Sequence, residues 1–201
     1  MIKAIFFDMG GVICEEGFKP CPKAYEKEFG VPADIFYTAI HDHQAWKDFT
    51  LGKVSEEEYL KVCKERLPKP YVFDGKRYGE IVNELTKPNE ELIRLIKEEL
   101  SKKYIIGIVS NHPEAWFERF LDKTGLREIV KVKAVSCYQH IRKPDKELFD
   151  FAVKNAGVKP EECIYVDDRP DRISGAEELG IKVVVFDGNM ANFKKLINKF
   201  N

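Results

Sequence analysis

Short, almost purely apolar runs separated by longer stretches of helical periodicity constrain this chain most. Lys3–Asp8, Tyr104–Val109, Val132–Ser136, Cys163–Val166 and Lys182–Phe186 are rich in Val, Ile and Phe and lack polar alternation. Runs of this kind are strands buried on both faces, and strands alternating with helices form a parallel sheet covered by helices. The fold class expected is α/β, a doubly wound Rossmann-like parallel sheet. In open sheets of this type ligands bind at the carboxyl ends of the strands. The residues that terminate the runs are therefore the first candidates for function.

Those termini are chemically selective. The first run ends in Asp8-Met9-Gly10-Gly11, the second in Ser110-Asn111, and the fourth in Asp167-Asp168. A further cation, Lys143 in Arg142-Lys143-Pro144-Asp145, stands just ahead of a helix start. Asp8 alone could cap a turn, Ser110 and Asn111 could cap the next helix, and Lys143 alone reads as a surface lysine. Together they converge on one crevice, where three carboxylates repel each other unless a cation intervenes. Oxygen ligands with no His or Cys beside them favour a hard ion, magnesium above all. Lys143 adds charge to balance a phosphate, and a helix start after Ser110 suits a phosphate as well as a cap. The assembly reads as a magnesium-dependent phosphate site.

With these four motifs in order, the chain resembles the haloacid dehalogenase superfamily, in particular its phosphatase-like branch with a helical cap between strands one and two. The resemblance covers nearly the whole chain. It implies that Asp8 is the nucleophile, forming an aspartyl-phosphate, and also a metal ligand. It implies that Ser110 and Asn111 bind the substrate phosphate and that Lys143 steadies the nucleophile and the transferring charge. Asp168 would be the direct metal ligand, Asp167 a nearby or water-mediated one, and the Gly10 carbonyl the remaining protein ligand. The activity implied is hydrolysis of a small phosphate monoester, for example a sugar phosphate, with Mg2+ as cofactor.

One position departs from that pattern. Phosphatases of the superfamily carry a second aspartate two residues after the nucleophile as general acid and base, and this chain has Gly10 there. Such help is typically worth about 10²–10⁴ in rate. Its absence keeps a second reading open, a catalytically weakened fold that binds a phosphorylated metabolite or a protein partner. Dehalogenation fits less well, because that branch also lacks the second aspartate but does not use magnesium, whereas Asp167-Asp168 is retained. A slow, leaving-group-sensitive enzyme is expected, and Gly10→Asp is expected to raise turnover unless only glycine reaches the backbone angle there.

Composition sets outer bounds. The 201 residues, 44% hydrophobic, suffice for one core and a small accessory unit. Lys and Arg number 33 against 34 Asp and Glu, a net charge of −1, so no basic stripe suggests nucleic acid. No run approaches a membrane span, and with the first strand expected from residue 3 no signal peptide is expected ahead of it. Cys14, Cys21, Cys63, Cys137 and Cys163 include no Cys-x-x-Cys pair and read as reduced, buried thiols of a cytoplasmic protein.

The domain organisation expected is a core of residues 1–14 and 88–201 around a helical cap of residues 15–87. Cap helices are expected over Pro22–Phe29, Pro32–Phe49, Ser55–Arg66 and Lys76–Thr86, with a capping box at Ser55 and Glu58. Helices over Asn89–Lys102, Pro113–Lys123, Asp145–Ala156, Pro170–Leu179 and Met190–Phe200 complete the core. Among the histidines, His112 follows Asn111 and is either a proton donor at the crevice mouth or a helix-start residue facing water. His41 and His43 lie two apart on an expected helix and share no face, which argues against a shared metal. Trp46 and Phe49 fit the cap core better than a substrate pocket. Arg142 and Arg169 flank site positions with no role fixed by sequence. The partner expected is a small phosphorylated metabolite; oligomeric state has no signature here.

Overall fold

The computed structural model describes residues 1–41 and 43–200. In chain order the elements are β1 (Ala4–Phe7), β2 (Cys14–Glu15), α1 (Cys21–Phe29), α2 (Ala33–Ile40), α3 (Gln44–Thr50), α4 (Glu56–Arg66) and α5 (Gly75–Leu85). There follow β3 (Lys87–Pro88), α6 (Glu90–Glu98), β4 (Ile105–Ser110), α7 (Glu114–Thr124), β5 (Val130–Val135), α8 (Ser136–Gln139) and α9 (Lys146–Ala156). The chain closes with β6 (Cys163–Asp167), α10 (Ser174–Glu178), β7 (Lys182–Val185) and α11 (Met190–Lys199).

The main sheet has the order β5-β4-β1-β6-β7, and all its pairings are parallel. The central strands β1 and β6 are buried on both faces, while the edge strands β5 and β7 keep exposed positions at Lys131 and Val185, and the period of two sorts the side chains. Ile5, Phe7, Ile164 and Val166 enter one apolar cluster, while Ala4, Phe6, Cys163 and Tyr165 enter another on the opposite face. The doubly wound expectation is met. From β1 the chain moves outward through β4 to β5, then returns across β1 to β6 and β7. The connections after β1 and β6 therefore diverge, and the crevice at this switch point lies between Asp8 and Asp167.

Helices α1–α5 carry an apolar cluster of their own, built on Tyr25, Phe36, Trp46, Phe49, Tyr59 and Tyr78, joined from α7 by buried Trp116 with Ala115 packed against it. Its rings stack closely, Tyr25 on Phe36 at 3.9 Å between centroids and Phe49 on Tyr59 at 4.5 Å. The capping box at the start of α4 is present, with Ser55 Oγ accepting from Glu58 N at 3.1 Å and Glu58 reaching back to Ser55 N at 2.7 Å. Polar contacts tie this layer to the sheet domain: Trp116 Nε1 donates to Glu56 at 2.7 Å and Arg119 pairs with the same carboxylate at 2.9 Å.

The expected boundaries shift in three places. Pro32–Phe49 is not one helix but two, α2 ending at Ile40 and α3 starting at Gln44, with His43 as N-cap accepting from Trp46 N at 3.3 Å. The expected helices over Asn89–Lys102 and Pro170–Leu179 each contain a 3₁₀ turn, at Leu100–Lys102 and Pro170–Arg172. The two-residue strands β2 and β3 pair antiparallel, Cys14 opposite Pro88 and Glu15 opposite Lys87. They were invisible in the sequence, being too short to show a period. This ribbon carries the chain out to the helical layer and back.

Close backbone approaches lock α10 against the loop that follows β5. A Cβ on Gly175 would stand 2.1 Å from the Pro144 carbonyl oxygen and 2.9 Å from Lys146 N. Gly175→Ala is expected to cost about 1–3 kcal/mol, because neighbours that are backbone cannot turn aside. Gly79, inside α5, has nothing within 4 Å of such a Cβ. Gly79→Ala is expected to stabilise by roughly 0.5–1 kcal/mol through helix propensity. Urea unfolding of both variants checks the opposite signs.

Candidate active site

Asp8 is the first residue past β1, held beside β6 by its amide, which donates to Val166 O at 2.8 Å. The carboxylate is buried and receives three hydrogen-bond donors on Oδ1: Met9 N at 2.7 Å, Ser110 Oγ at 2.8 Å and Lys143 Nζ at 2.9 Å. Oδ2 receives no hydrogen bond from the described residues. Burial pushes the Asp8 carboxyl above its ordinary range, against the pull of Lys143, and the neighbouring Asp167 pushes the same way. A divalent cation alongside would reverse that shift.

Lys143 is buried at 3% exposure and joins two carboxylates, Asp8 at 2.9 Å and Asp167 at 2.7 Å. Its Nζ also meets Tyr165 OH at 2.8 Å, and Tyr165 OH in turn donates to Asp167 Oδ2. The backbone of Lys143 is clamped by Asn111, whose Oδ1 accepts from Lys143 N at 2.8 Å and whose Nδ2 donates to Lys143 O at 3.2 Å. Arg172 Nη1 donates to the same carbonyl at 3.1 Å. Asn111 thus spends its side chain positioning Lys143.

The paired carboxylates divide their work. Asp167 is fully buried and satisfied by protein: Oδ2 by Lys143 and Tyr165, Oδ1 by Arg169 N at 2.8 Å. Asp168 Oδ1 is buried yet has no hydrogen-bond partner among the described residues, and burial together with Asp167 raises its pKa. One ligand atom from each of Asp8, Asp167 and Asp168 can be chosen so that all lie within 4.8 Å of one another. Three carboxylates and one ammonium leave the cluster two charges short of neutrality. An orphaned buried oxygen in an all-oxygen cluster of that charge suits a hard divalent cation.

The cleft above this cluster has a volume of about 540 Å³ and is walled on one side by Asp8, Ser110, Lys143 and Asp168. The helical layer supplies the other wall, including Tyr37, His41, Trp46 and Lys47. Phe18 and His41 stack at 5.4 Å, and Trp46 lies 4.9 Å from His41, so Trp46 serves both the apolar cluster and the cleft wall. Phe49 stays in the cluster. His112 does not face water; it is buried, its amide donating to Ser136 Oγ at 3.1 Å, and burial pushes its pKa down to about 4. A neutral imidazole is a poor proton donor near neutral pH. Arg142 donates to Thr50 Oγ1 across the cleft, whereas Arg169 is spent on Asp171 at 2.8 Å.

Two contributors escaped the sequence reading. Tyr165 stands two residues before Asp167 on one strand, a spacing that puts both on one face and could have flagged it. Glu16, which also lines the cleft, gives no such local sign because only the ribbon turns it inward.

Comparison with known proteins agrees with this geometry. A family profile described as haloacid dehalogenase-like hydrolase matches residues 2–180. The chain belongs to that family. It is 27% identical to flavin mononucleotide hydrolase 1 of Arabidopsis thaliana over 91% of this chain and 71% of that protein. It is 26% identical to D-ribitol-5-phosphate phosphatase of Bacteroides thetaiotaomicron over 90% of each. A haloacid dehalogenase family enzyme from B. thetaiotaomicron, solved with magnesium and inorganic phosphate, superposes with a TM-score of 0.78 at 20% identity. The match covers 96% of this chain and 99% of that one. The shared fold is thus one whose members include a magnesium and phosphate complex.

The metal assignment for this family member has a readout independent of turnover. Magnesium at about 100 times its Kd should stabilise the protein by about 2.7 kcal/mol. Asp168→Asn should lose that shift in a thermal melt. Without metal the variant should melt no lower than the parent, because it removes the charge from a half-buried carboxylate whose Oδ1 has no hydrogen-bond partner among the described residues.

Proposed function

We propose that the protein is a magnesium-dependent phosphatase that hydrolyses a small phosphate monoester through an aspartyl-phosphate on Asp8. The observation that carries this reading is the asymmetry of the Asp8 carboxylate: three donors hold Oδ1, while Oδ2, at the cleft, receives none from the described residues. A carboxylate fixed by one oxygen presents the other as a positioned nucleophile. Lys143 and Ser110 stand where they can also meet the oxygens of a phosphoryl group at Asp8. Asn111, read from the sequence as a phosphate contact, acts in this proposal by holding Lys143 in place.

Magnesium on Asp8, Asp168 and the Gly10 carbonyl, with Asp167 behind, would neutralise charge on the transferring phosphoryl group. The remaining work is electrostatic positioning by fixed donors, which contributes without reorganisation during reaction. Residues 15–87 act as the cap, and their aromatic side chains Phe18, Tyr37, His41 and Trp46 offer a face for the non-phosphate part of a sugar or heterocyclic ester. The five cysteines are all free and buried, which supports a reducing, cytoplasmic setting. Among the described residues no helix is long and apolar enough to cross a membrane.

The test is hydrolysis of an aryl phosphate with magnesium and with excess chelator. The parent should turn over only with metal. Asp8→Asn keeps the shape and the Met9 and Ser110 contacts but removes the attacking charge, so activity should fall by about 10⁴-fold or more. Full activity in a folded Asp8→Asn protein, judged by its thermal melt, would show that the chemistry runs elsewhere.

A further inference from the structure

The missing acid–base group has a substitute on the other side of the loop. Gly10 does not have a positive φ, so its backbone does not demand glycine. What occupies its side-chain space is Glu16: a Cβ built on Gly10 would lie 2.2 Å from Glu16 Cδ, 2.3 Å from Oε1 and 2.6 Å from Cγ. A carbon–carbon bond is ~1.5 Å. The Glu16 carboxyl group therefore fills the space that the side chain of an aspartate at position 10 would have to enter. The expectation that Gly10→Asp simply restores a lost group is corrected here, since the space already holds a carboxylate.

The placement is built rather than incidental. The chain turns tightly after Asp8, with Cys14 N donating to Met9 O at 2.9 Å and Gly11 N to Cys14 O at 2.8 Å. The ribbon of β2 and β3 then fixes Cys14 and Glu15. Directly after Glu16, Gly17 N donates to Thr86 Oγ1 at 3.2 Å, and a Cβ on Gly17 would stand 2.0 Å from Val82 O. Only a glycine allows that approach, and it pins the backbone of Glu16 from its carboxyl side. Lys19 takes Oε2 at 2.8 Å, which leaves Oε1 on the Gly10 side. The Glu16 side chain lines the same cleft as Asp8 and Gly10.

Resting on the phosphatase reading above, we propose that Glu16 is the acid–base carboxylate of this enzyme, supplied from the start of the cap segment instead of from position 10. In the first step Asp8 attacks phosphorus, the bond from phosphorus to the ester oxygen breaks, and the Glu16 carboxyl gives its proton to the departing alkoxide. In the second step water attacks the aspartyl-phosphate, Glu16 takes a proton from that water, and the Asp8 carboxylate leaves. The sum is ester plus water giving alcohol plus phosphate, with Glu16 and Asp8 regenerated.

The experiment compares the parent, Glu16→Gln, Glu16→Ala and the double variant Gly10→Asp/Glu16→Ala on alkyl and activated aryl phosphates with magnesium. Glu16→Gln should lower alkyl ester turnover by about 10²–10⁴-fold. Activated aryl esters need little protonation of the leaving group, so with them phosphorylated Asp8 should accumulate in the glutamine variant, seen by mass spectrometry after acid quench. The double variant should recover at least about tenfold of the alkyl turnover lost in Glu16→Ala, which a merely structural glutamate would not allow. If the glutamine variant fails to fold, the alanine pair decides by the same recovery. An active parent whose glutamine variant keeps its leaving-group dependence and accumulates no phosphorylated Asp8, or an alanine pair without recovery, overturns the role of Glu16 alone. A parent that neither labels at Asp8 nor turns over any ester with magnesium overturns the phosphatase reading and this inference with it.

Discussion

A single buried ammonium organises the carboxyl end of the sheet. Lys143 Nζ meets Asp8, Asp167 and Tyr165 OH all within 3 Å. Moving an ion from water into a protein interior costs several kcal/mol even after relaxation, so a lysine at 3% exposure persists only when its partners compensate fully. Two carboxylates and a phenol do so. The dependence is mutual, because Asp8 and Asp167 are also buried and would repel each other across the β1–β6 edge without the cation between them. The carboxylate that serves as nucleophile in the proposed chemistry is thus held by the same contact that makes the pair of strands electrostatically tolerable.

That contact explains why residues far apart in the chain meet here. Asn111 clamps both backbone polar groups of Lys143, Arg172 adds a second donor to its carbonyl, and Gly175 brings α10 against the adjoining Pro144 carbonyl. Each restraint acts on main chain, leaving the ammonium to set its own distance to the carboxylates. Tyr165 orients Asp167 from the same strand, so its phenol and that carboxylate form one rigid acceptor for the lysine. Asp168, the first residue past β6, shares none of these hydrogen bonds. Its unpaired, buried Oδ1 is the free valence of the site.

The sheet was legible in the sequence because parallel strands buried on both faces leave uninterrupted apolar runs, and the run termini Asp8, Ser110 and Asp167 named the crevice directly. Lys143 was legible only in company, since a lysine before proline carries no burial signal of its own. Less could be read where structure depends on distant pairing. The β2–β3 ribbon is too short for periodicity, and the break between α2 and α3 is marked by a histidine acting as N-cap, a residue seldom read as a helix start. His112 looked equally suited to solvent or crevice, and only the packing of Ser136 beneath it decides for burial. Glu16 was missed for the same reason as the ribbon that aims it.

The two glycines after the nucleophile illustrate why a motif departure has to be read in space. Gly11 has φ +80°, and a Cβ there would lie 2.1 Å from Asp168 Oδ2. It is glycine both for its backbone angle and for the approach of a carboxylate. Gly10 is glycine only for the approach of a carboxylate, that of Glu16. Neighbouring small residues therefore admit two acidic side chains from different parts of the chain into the space beside Asp8. In sequence, the pair reads as the loss of one carboxylate. In the fold, it is the condition for bringing two in, one satisfied through Lys19 and the other left with a bare oxygen. An aspartate at position 10 would be tethered to the loop that also holds the nucleophile. A glutamate arriving from the ribbon is tethered instead through the next residue, whose Gly17 amide donates to Thr86 at the far end of the cap segment. In the proposed chemistry, its distance from the reacting oxygen is thereby coupled to where the cap sits.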